Sequence, residues 1–193
     1  MQVFVPSSLS FQECARILDN RRLQKQLLEA SQMLETLSGK PNRDGKPRTG
    51  WMNHPALTAW RHNLPALAAY AIACADECSK RNIKNDLLRG RVSAYLETPY
   101  TLPAWWGDER IHASHRARLL NKDFRFYEQC GWEEAKWEHL AGSNYQWAIW
   151  VGESSTEYVL EVRSSKLSTK LREEQNRLSA QVRQLQQDYG YLP

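Results

Sequence analysis

The sequence predicts a mainly α protein: a compact single-domain helical bundle with a short extended arm at its N terminus and an appended amphipathic helix at its C terminus. Its 193 residues suffice for one domain with a real core and are too few for two domains of usual size. Apolar residues recur at helical spacing in several segments. Beyond about residue 160 the sequence becomes polar, and its leucines follow a heptad-like spacing.

The N-terminal arm leads into the first helix. In the segment "MQVFVPSS" apolar and polar residues alternate enough to predict a short strand or an extended arm. In "SFQE" at residues 10–13, Ser10 is expected to cap a helix and the Glu13 side chain to reach back, as in a capping box. The apolar stripe that follows predicts one long helix over residues 11–37.

A basic loop and two helices are predicted next. Residues 39–50 are rich in Gly, Pro, Lys and Arg, which is typical of an exposed loop that can touch phosphates. Pro55 suits the first turn of a helix, with His54 as its cap. The Ala-rich stretch "LPALAAYAIACADECSKR" predicts a buried helix in the centre of the domain.

The rest of the predicted domain is helical and then extended. The segment "DERIHASHRARLLNKD" predicts a helix that points Ile111, Leu119 and Leu120 inward. Asp123 is expected to cap a short aromatic helix. The apolar segment "NYQWAIWVGES" is expected to pack back on the core as an extended closing segment, so the domain spans residues 1–158.

Residues 159–193 are predicted to form the appended amphipathic helix. Its narrow apolar seam must be buried somewhere, and the heptad-like spacing favours another helix as the partner. Two outcomes are open: the helix folds back on its own domain, or it pairs with the tail of a second copy in a homodimer, which we favour. The seam consists of Leu167, Leu171, Leu178, Val182 and Leu185.

The composition narrows the class of protein. Lys and Arg number 26 against 22 Asp and Glu, and the pI is near 8.9, which is compatible with a polyanionic partner. The four cysteines lack a CxxC pair, which is typical of reduced thiols in a cytosolic protein. No signal-peptide pattern and no apolar run of about 18 residues occur, so we expect a cytoplasmic protein without a membrane segment.

Two polar helical faces are candidate sites. The first helix carries four polar residues at steps of three and four, namely Arg22, Lys25, Gln26 and Glu29. An ordinary solvated surface is the alternative interpretation of such a face. The second face holds His112, His115 and Arg116 and continues through Lys122 into an aromatic segment.

Several single residues have more than one interpretation. Two histidines at i and i+3 can chelate a metal, but no HExxH motif accompanies them, so neither a metal nor a cofactor is expected. His54 is either a helix cap alone or part of a site. Trp106 in "AWWGDE" is either a core residue or an apolar wedge of the kind that DNA-bending proteins insert between bases.

Four segments of the chain carry a resemblance to a known family. They are "MQVFVPSSLSFQECARILDNRRLQKQLLEASQMLETL", "GWMNHPALTAW", "PAWWGDERIHASHRARLLNKDFRFYEQCGW" and "YQWAIW". Their strongest motifs are D-x-x-R-L-x-K-Q-x-x-E at 19–29, N-H-P at 53–55 and W-W-x-D-E-x-x-H-x-S-H-R-x-x-L-L-x-K-D at 105–123. Over roughly residues 1–150 the chain resembles the phage and bacterial pyrimidine-dimer DNA glycosylases, the endonuclease V-like superfamily.

The resemblance implies a helical domain that binds duplex DNA, flips a base and cleaves its N-glycosidic bond, sometimes followed by strand cleavage through a Schiff base. In characterised endonuclease V enzymes the amine is the α-amino group of a small residue exposed by removal of Met, and a Glu of an Arg-Glu pair helps it. This chain departs on both counts. Gln2 is large enough that we expect Met1 to be retained, and Lys25-Gln26, with Glu29 a turn later, stands in place of the pair.

The candidate residues have expected roles in that reaction. A carboxylate stabilises the positive charge that builds on the sugar, and Glu29 is the candidate. A lyase step needs an unprotonated amine, for which Lys25, expected to be partly buried beside Arg22, is the candidate. The other candidate catalytic residues are Gln26, His112 and His115. The residues expected to bind DNA are Arg22, Arg43, Lys46, Arg48, His54, Trp106, Arg116 and Lys122.

We therefore expect a DNA glycosylase, with or without lyase activity, that repairs DNA in a bacterial or phage-infected cell. Two alternatives stay open. One is another enzyme that modifies DNA or nucleotide bases, and the other is a catalytically silent DNA-binding or structural protein.

Overall fold

The computed structural model describes residues 2–137, 144–153 and 155–164. Within these ranges the chain forms seven α-helices, two short 3₁₀ helices and a two-stranded sheet, so the protein is mainly α, as predicted. The α-helices are α1 (Phe11–Ile17), α2 (Asn20–Leu37), α3 (Pro55–Trp60), α4 (Leu64–Lys80), α5 (Asp86–Ser93), α6 (Glu109–Lys122) and α7 (Phe124–Tyr127). The 3₁₀ helices are Glu128–Cys130 and Glu133–Trp137, and the strands are β1 (Asn144–Trp150) and β2 (Tyr158–Ser164).

The first helix is interrupted, so the prediction of one helix over residues 11–37 is wrong. Leu18 adopts an extended conformation, and the Asp19 carboxylate caps a new helix by accepting the Arg22 amide at 3.1 Å. A side-chain acceptor at this position competes with continued helix formation. The Arg81 guanidinium donates to the Leu18 carbonyl at 2.6 Å, so this carbonyl has a hydrogen-bond partner although the helix is interrupted there.

Two predicted helix caps are confirmed. The Ser10 hydroxyl accepts the Glu13 amide at 3.0 Å, and the Asp123 carboxylate accepts the Phe126 amide at 3.3 Å. The Glu13 side chain pairs with Arg16 instead of completing the expected capping box. Capping therefore starts α1 through Ser10 and α7 through Asp123.

The centre of the protein is α4, as its Ala-rich sequence predicts. Ten of its residues are buried, and it packs against α1 and α2. Small alanine side chains allow neighbouring helices to approach closely, which suits a central helix. His54 and Pro55 start α3 in the expected way, because His54 Nδ1 accepts the Ala56 amide at 3.1 Å.

Strands β1 and β2 follow the helices. The predicted extended closing segment forms β1, which packs on α3 and α6. Residues 158–164 form β2, so the prediction that a helix begins at residue 159 is wrong. Half-buried Tyr158 and Leu160 alternate with exposed Val159, which is the period of a strand.

Residues Met1–Arg163 make up one compact unit. The apolar seam predicted between Leu167 and Leu185 lies outside the described residues. None of the helices in the described ranges is both long and apolar enough to cross a membrane.

Candidate functional site

The N-terminal segment, residues 2–6, is bound by the side chains that the sequence marks as candidate site residues. Its residues Val3, Phe4 and Val5 are buried. Three of its amides donate to side chains of α2 and α6. These bonds are Gln2 N to Glu29 Oε2 at 2.8 Å, Phe4 N to Gln26 Oε1 at 2.6 Å, and Val5 N to His115 Nδ1 at 2.9 Å. The two predicted faces therefore meet on one extended segment.

The two histidines of α6 hold opposite sides of Val5. His115 Nδ1 accepts the Val5 amide, which requires the proton of the neutral ring to be on Nε2. His112 Nδ1 lies 2.7 Å from the Val5 carbonyl, and its Nε2 accepts the Gly107 amide at 3.1 Å. His112 must therefore carry its proton on Nδ1. The two rings are thus neutral and in opposite tautomers.

Burial keeps both histidines uncharged. Loss of solvation lowers the pKa of His112, and the same cause, followed by the positive charge of Arg116, lowers the pKa of His115 to about 3. Their exposed fractions are 0% for His112 and 3% for His115. Because both rings are buried and bonded to the backbone, neither histidine lies on an open surface of this structure. A role of either ring in catalysis stays a prediction.

Gln26 has a similar position in the interior. Its exposed fraction is 1%, and its Oε1 atom lies 3.2 Å from the Tyr70 hydroxyl in addition to accepting the Phe4 amide. The Tyr70 hydroxyl donates to the Phe4 carbonyl at 2.8 Å. Gln26 is consequently placed to position the N-terminal segment, and it does not line an open surface.

Arg116 also anchors this segment. Its guanidinium binds both carboxylate oxygens of Glu134, at 3.1 and 2.8 Å, and donates to the Pro6 carbonyl at 3.2 Å. A further bond joins it to Glu109. The side chain is 14% exposed. Because its donors already have protein acceptors, the geometry does not support the expected contact of Arg116 with DNA.

Glu29 is the candidate catalytic carboxylate, and it lies at the border between the interior and solvent. Its side chain is 12% exposed, with Oε2 bound to the Gln2 amide and Oε1 3.7 Å from Lys25 Nζ. The expectation that Lys25 is partly buried is wrong, since its side chain is 66% exposed. The long aliphatic part of the Lys25 side chain carries its ammonium group into solvent, beside the mostly buried Glu29 carboxylate.

A group of cations from α2 and α6 lies near Glu29. Loss of solvation, followed by the charges of Arg118, Arg22 and Lys25, lowers the pKa of Lys122, while Glu29 acts in the opposite direction. Arg118, Arg22 and Lys25 are therefore each close enough to Lys122 to act on its charge. Lys122 makes no ion pair with any residue in the described ranges.

Arg118 is a residue that the sequence analysis missed. Its guanidinium donates to the Tyr145 hydroxyl at 3.1 Å and lies 5.3 Å from the centre of that ring. The Tyr145 hydroxyl in turn binds the Gln2 side chain. The spacing of four residues between Arg118 and Lys122 was the available signal, because it places both cations on one face of α6.

Arg22 lies in the same region but is already bound. It pairs with Asp19 at 2.8 Å and Asp123 at 3.5 Å, and it donates to the Lys122 carbonyl at 3.0 Å. Its side chain is 15% exposed. These bonds join the start of α2 to the end of α6, so the structure assigns Arg22 a connection between the two helices.

The basic loop contains two kinds of cation: some pair with a protein carboxylate, and others are exposed to solvent. Lys40 and Arg48 pair with buried Glu35 at 3.2 and 2.9 Å. Arg43 and Lys46 are exposed and form no ion pair within the described ranges. Of the loop residues expected to bind DNA, Arg48 is thus committed to a protein carboxylate, while the charges of Arg43 and Lys46 face solvent.

Trp106 is packed into the protein. Its indole nitrogen donates to the Ser8 carbonyl at 3.0 Å, and its ring lies 4.8 Å from that of Phe11 and 5.4 Å from that of His112. Edge-to-face contacts of this kind are typical of core aromatics. Of the two interpretations of Trp106, the structure therefore favours the core residue over the DNA wedge.

His54 combines its capping role with contacts to two rings. Its ring centre lies 5.2 Å from that of Trp51 and 6.1 Å from that of Trp147 in β1. Trp147 also contacts His115 and Tyr145, at 5.9 and 5.2 Å. A continuous series of aromatic contacts therefore joins His54 to the side chains around Gln2.

Comparison with known proteins supplies one match. A family model described as pyrimidine dimer DNA glycosylase matches residues 1–89, which include Arg22, Lys25, Gln26, Glu29 and His54. No curated protein and no solved structure matches the chain. The resemblance indicated by the sequence motifs is therefore confirmed over residues 1–89, where the chain is similar to the pyrimidine dimer DNA glycosylase family.

Proposed function

We propose that the protein is a DNA glycosylase that binds duplex DNA, flips a damaged or modified base out of the helix and cleaves its N-glycosidic bond. The observation that carries the proposal is the position of Glu29. Its carboxylate is 12% exposed, lies within the segment that matches the glycosylase family, and interacts with Lys25 of α2 at 3.7 Å and electrostatically with Lys122 of α6. A partly desolvated carboxylate among phosphate-binding groups is what base excision needs.

The chemistry follows from the charge that develops on the sugar. As the bond between C1′ and the base nitrogen breaks, electrons leave with the base and positive charge builds on the sugar ring. The Glu29 carboxylate stabilises this charge or removes a proton from the water that attacks C1′. The oxygen of water then becomes the new C1′ substituent, and the base departs with a proton.

The proposed phosphate contacts are the cations that lack a protein partner carboxylate. Arg43 and Lys46 of the basic loop and Lys122 of α6 meet this description within the described residues. Neutralising phosphates with such side chains releases counterions, so binding weakens steeply as salt rises. Arg22, Arg48 and Arg116 are engaged in ion pairs, and their proposed effect on DNA binding acts through the residues that they position.

A lyase step is a separate proposal. Lys25 is the amine nearest to Glu29 in the described structure, with 3.7 Å between its Nζ atom and the carboxylate. Attack of an uncharged amine on C1′ of the abasic sugar forms a Schiff base and expels water, and the imine then permits elimination of the 3′ phosphate. Borohydride reduces such an imine, so a covalent adduct with abasic duplex DNA identifies the step, and its loss in Lys25→Gln identifies the amine.

Gln26, His112 and His115 are proposed to act by position. Each binds the backbone of the N-terminal segment, and that segment places the Gln2 amide on the Glu29 carboxylate. The hydrogen bond from Gln2 orients one carboxylate oxygen and leaves the other directed toward Lys25. Loss of any of the three side chains is therefore expected to affect catalysis through the orientation of Glu29.

The substitution Glu29→Gln tests the proposal. The amide retains an oxygen that accepts the Gln2 amide, so the fold and DNA binding should persist while the negative charge is lost. Cleavage of the N-glycosidic bond in duplex DNA containing a thymine dimer, detected as an alkali-labile abasic site because the dimer keeps the detached base on its neighbour, should fall about 100-fold or more, the usual effect of removing a group that stabilises charge in the transition state. Measured in parallel, DNA affinity should stay close to that of the unaltered protein.

The chain offers a matched control in Glu77→Gln. Glu77 also lies on a helix, is 14% exposed and pairs with a cation four residues away, Arg81. Its substitution should leave cleavage of the glycosidic bond unchanged. If Glu29→Gln cleaves this bond at the wild-type rate, Glu29 is not the catalytic group. If the unaltered protein binds duplex DNA in a salt-sensitive way but yields neither an abasic site nor an adduct, the alternative of a silent DNA-binding protein is favoured.

A further inference from the structure

Trp51 combines two unusual features. It is 58% exposed, compared with 38% for Tyr100. Its backbone has a φ of 73°, in the left-handed region that bulky residues rarely adopt. It stands at the start of a tight turn in which the His54 amide donates to the Trp51 carbonyl at 2.7 Å. Glycine or asparagine would fit such a turn position without strain.

Neither feature contributes to the stability of the folded chain. An exposed indole buries little apolar surface, and a left-handed backbone at a bulky residue opposes folding. Such strained positions occur mainly where a side chain must be presented for function. Trp51 is held outward by one ring contact, an edge-on packing against His54 at 5.2 Å.

The surroundings of Trp51 fit a nucleic acid better than a protein or a lipid. Arg43 and Lys46 occupy the loop that leads into the same turn, and both are exposed. An aromatic ring with cations nearby is the combination that binds nucleic acid, because bases stack on the ring while phosphates bind the cations. An exposed indole is also large enough to stack on a base of any identity.

Trp51 lies close enough to Glu29, the proposed catalytic carboxylate, for both residues to contact the same DNA strand. Ring contacts lead from Trp51 through His54 and Trp147 to Tyr145, with centre-to-centre distances of 5.2, 6.1 and 5.2 Å. Tyr145 binds the Gln2 side chain, and the Gln2 amide binds Glu29. Successive nucleotides of a strand lie about 3.4 Å apart, so the rings of Trp51 and Tyr145 are separated by at most about five nucleotide steps.

From these observations we infer that Trp51 stacks on a nucleobase of the DNA bound at Glu29, close to the position where the damaged base is removed. This inference rests on the proposed function. It transfers to Trp51 the wedge role that the sequence analysis considered for Trp106, whose ring is packed and whose indole nitrogen is bonded. It also gives His54 a second role, since its ring supports the indole.

Three substitutions of Trp51 test the inference with short duplex DNA that contains one thymine dimer. Trp51→Ala and Trp51→Gly remove the ring and should weaken binding on the order of 10- to 100-fold, as expected for loss of one stacked base. Trp51→Phe retains a smaller ring and should keep most of the affinity. The dependence of affinity on salt should be the same in all three variants, because an uncharged side chain releases no counterions. Leu87→Ala, at a 70% exposed apolar residue on α5, is the matched control and should bind like the unaltered protein.

Thermal unfolding separates this role from a structural one. Trp51→Gly relieves the backbone conformation, so its melting temperature should equal or exceed that of the unaltered protein while its DNA affinity falls. A large drop in melting temperature for Trp51→Gly would make Trp51 a structural residue and overturn the inference. Wild-type affinity and glycosidic-bond cleavage in Trp51→Ala would overturn it as well. If the unaltered protein itself neither binds DNA nor cleaves a glycosidic bond, the proposed function fails first, and that result is distinguishable from failure of Trp51 alone.

Discussion

Mild acid should destabilise the protein through the buried histidines that hold Val5. His115 accepts the Val5 amide with Nδ1, the atom that gains a proton on acidification. A protonated ring can no longer accept this bond, and its charge would be buried at an exposed fraction of 3%. The perturbation is therefore a change from pH 7 to pH 5 with no change of sequence.

The magnitude follows from the pKa of His115 in the two states. Its ordinary value is 6.5, and loss of solvation, followed by the positive charge of Arg116, lowers it to about 3 in the folded protein. At pH 5 the unfolded chain binds a proton that the folded chain does not, which favours unfolding by about 2 kcal/mol. The stabilisation is complete above about pH 6.5 and is lost as the pH falls toward 3.

Between pH 5 and 6.5, the expected change in the free energy of unfolding comes from histidines. Hydrogen bonds from Arg110 lower the pKa of Asp108 to about 2, but a carboxylate of this kind loses its stabilising contribution only below its ordinary value of 3.8. The pKa of His112 is lowered as well, mainly by burial, so its effect adds to that of His115 in the same direction. The loss in the unaltered protein should accordingly be at least about 2 kcal/mol.

Urea unfolding at pH 7, 6 and 5 measures this effect, with His115→Asn as the comparison. The asparagine side chain offers an oxygen near the position of Nδ1 and does not titrate. This variant should be less stable at pH 7, because it fills less space, but its loss of stability between pH 7 and 5 should be smaller than that of the unaltered protein by about 2 kcal/mol. Equal losses in the two proteins would refute the assignment of a neutral, buried His115.

Two further predictions concern the surface and the tail. Lys122→Gln should weaken binding to duplex DNA of any sequence and reduce the slope of log affinity against log salt by about one. The control Lys80→Gln, at a lysine that is 72% exposed, should leave the slope unchanged. Equal slopes for Lys122→Gln and the unaltered protein would exclude a phosphate contact of Lys122. The heptad-like spacing of the tail predicts a dimer that is lost when the chain is shortened to end at Ser164, the last residue of β2, and light scattering that finds monomers for both lengths would exclude tail pairing.

The helix caps could be predicted from the sequence because their signals are local. Ser10, His54 and Asp123 each accept an amide only two or three residues away, so residue type and spacing suffice to identify them. The break at Leu18 and Asp19 depends on more distant groups. Arg81 satisfies the Leu18 carbonyl from 63 residues away, and the Tyr127 hydroxyl binds Asp19 from 108 residues away. The spacing of apolar residues within α1 and α2 does not indicate these distant partners.

The direction of the polar faces could not be predicted for the same reason. His112, His115 and Arg116 share one face of α6, as their spacing indicates, but spacing does not tell whether that face points to solvent or to another segment. The deciding element is the N-terminal segment, which is more than 100 residues away in sequence and occupies the face. Trp51 is the converse case, because nothing in its local sequence distinguishes an exposed indole from a buried one.

If DNA binds at Glu29 as proposed, the N-terminal segment restricts its approach. Withdrawal of the segment would break its bonds with Gln26, His112, His115 and Tyr70, each worth about 0.5–1.5 kcal/mol, and would expose the buried side chains of residues 3–5, each worth about 1.5–3 kcal/mol. The combined penalty is comparable to the whole stability of a typical domain, so the segment does not act as a gate. In the proposed complex the Gln2 amide is expected to keep its contact with Glu29. The nucleotide would then approach the carboxylate from the side of Lys25, where Oε1 faces an exposed ammonium group.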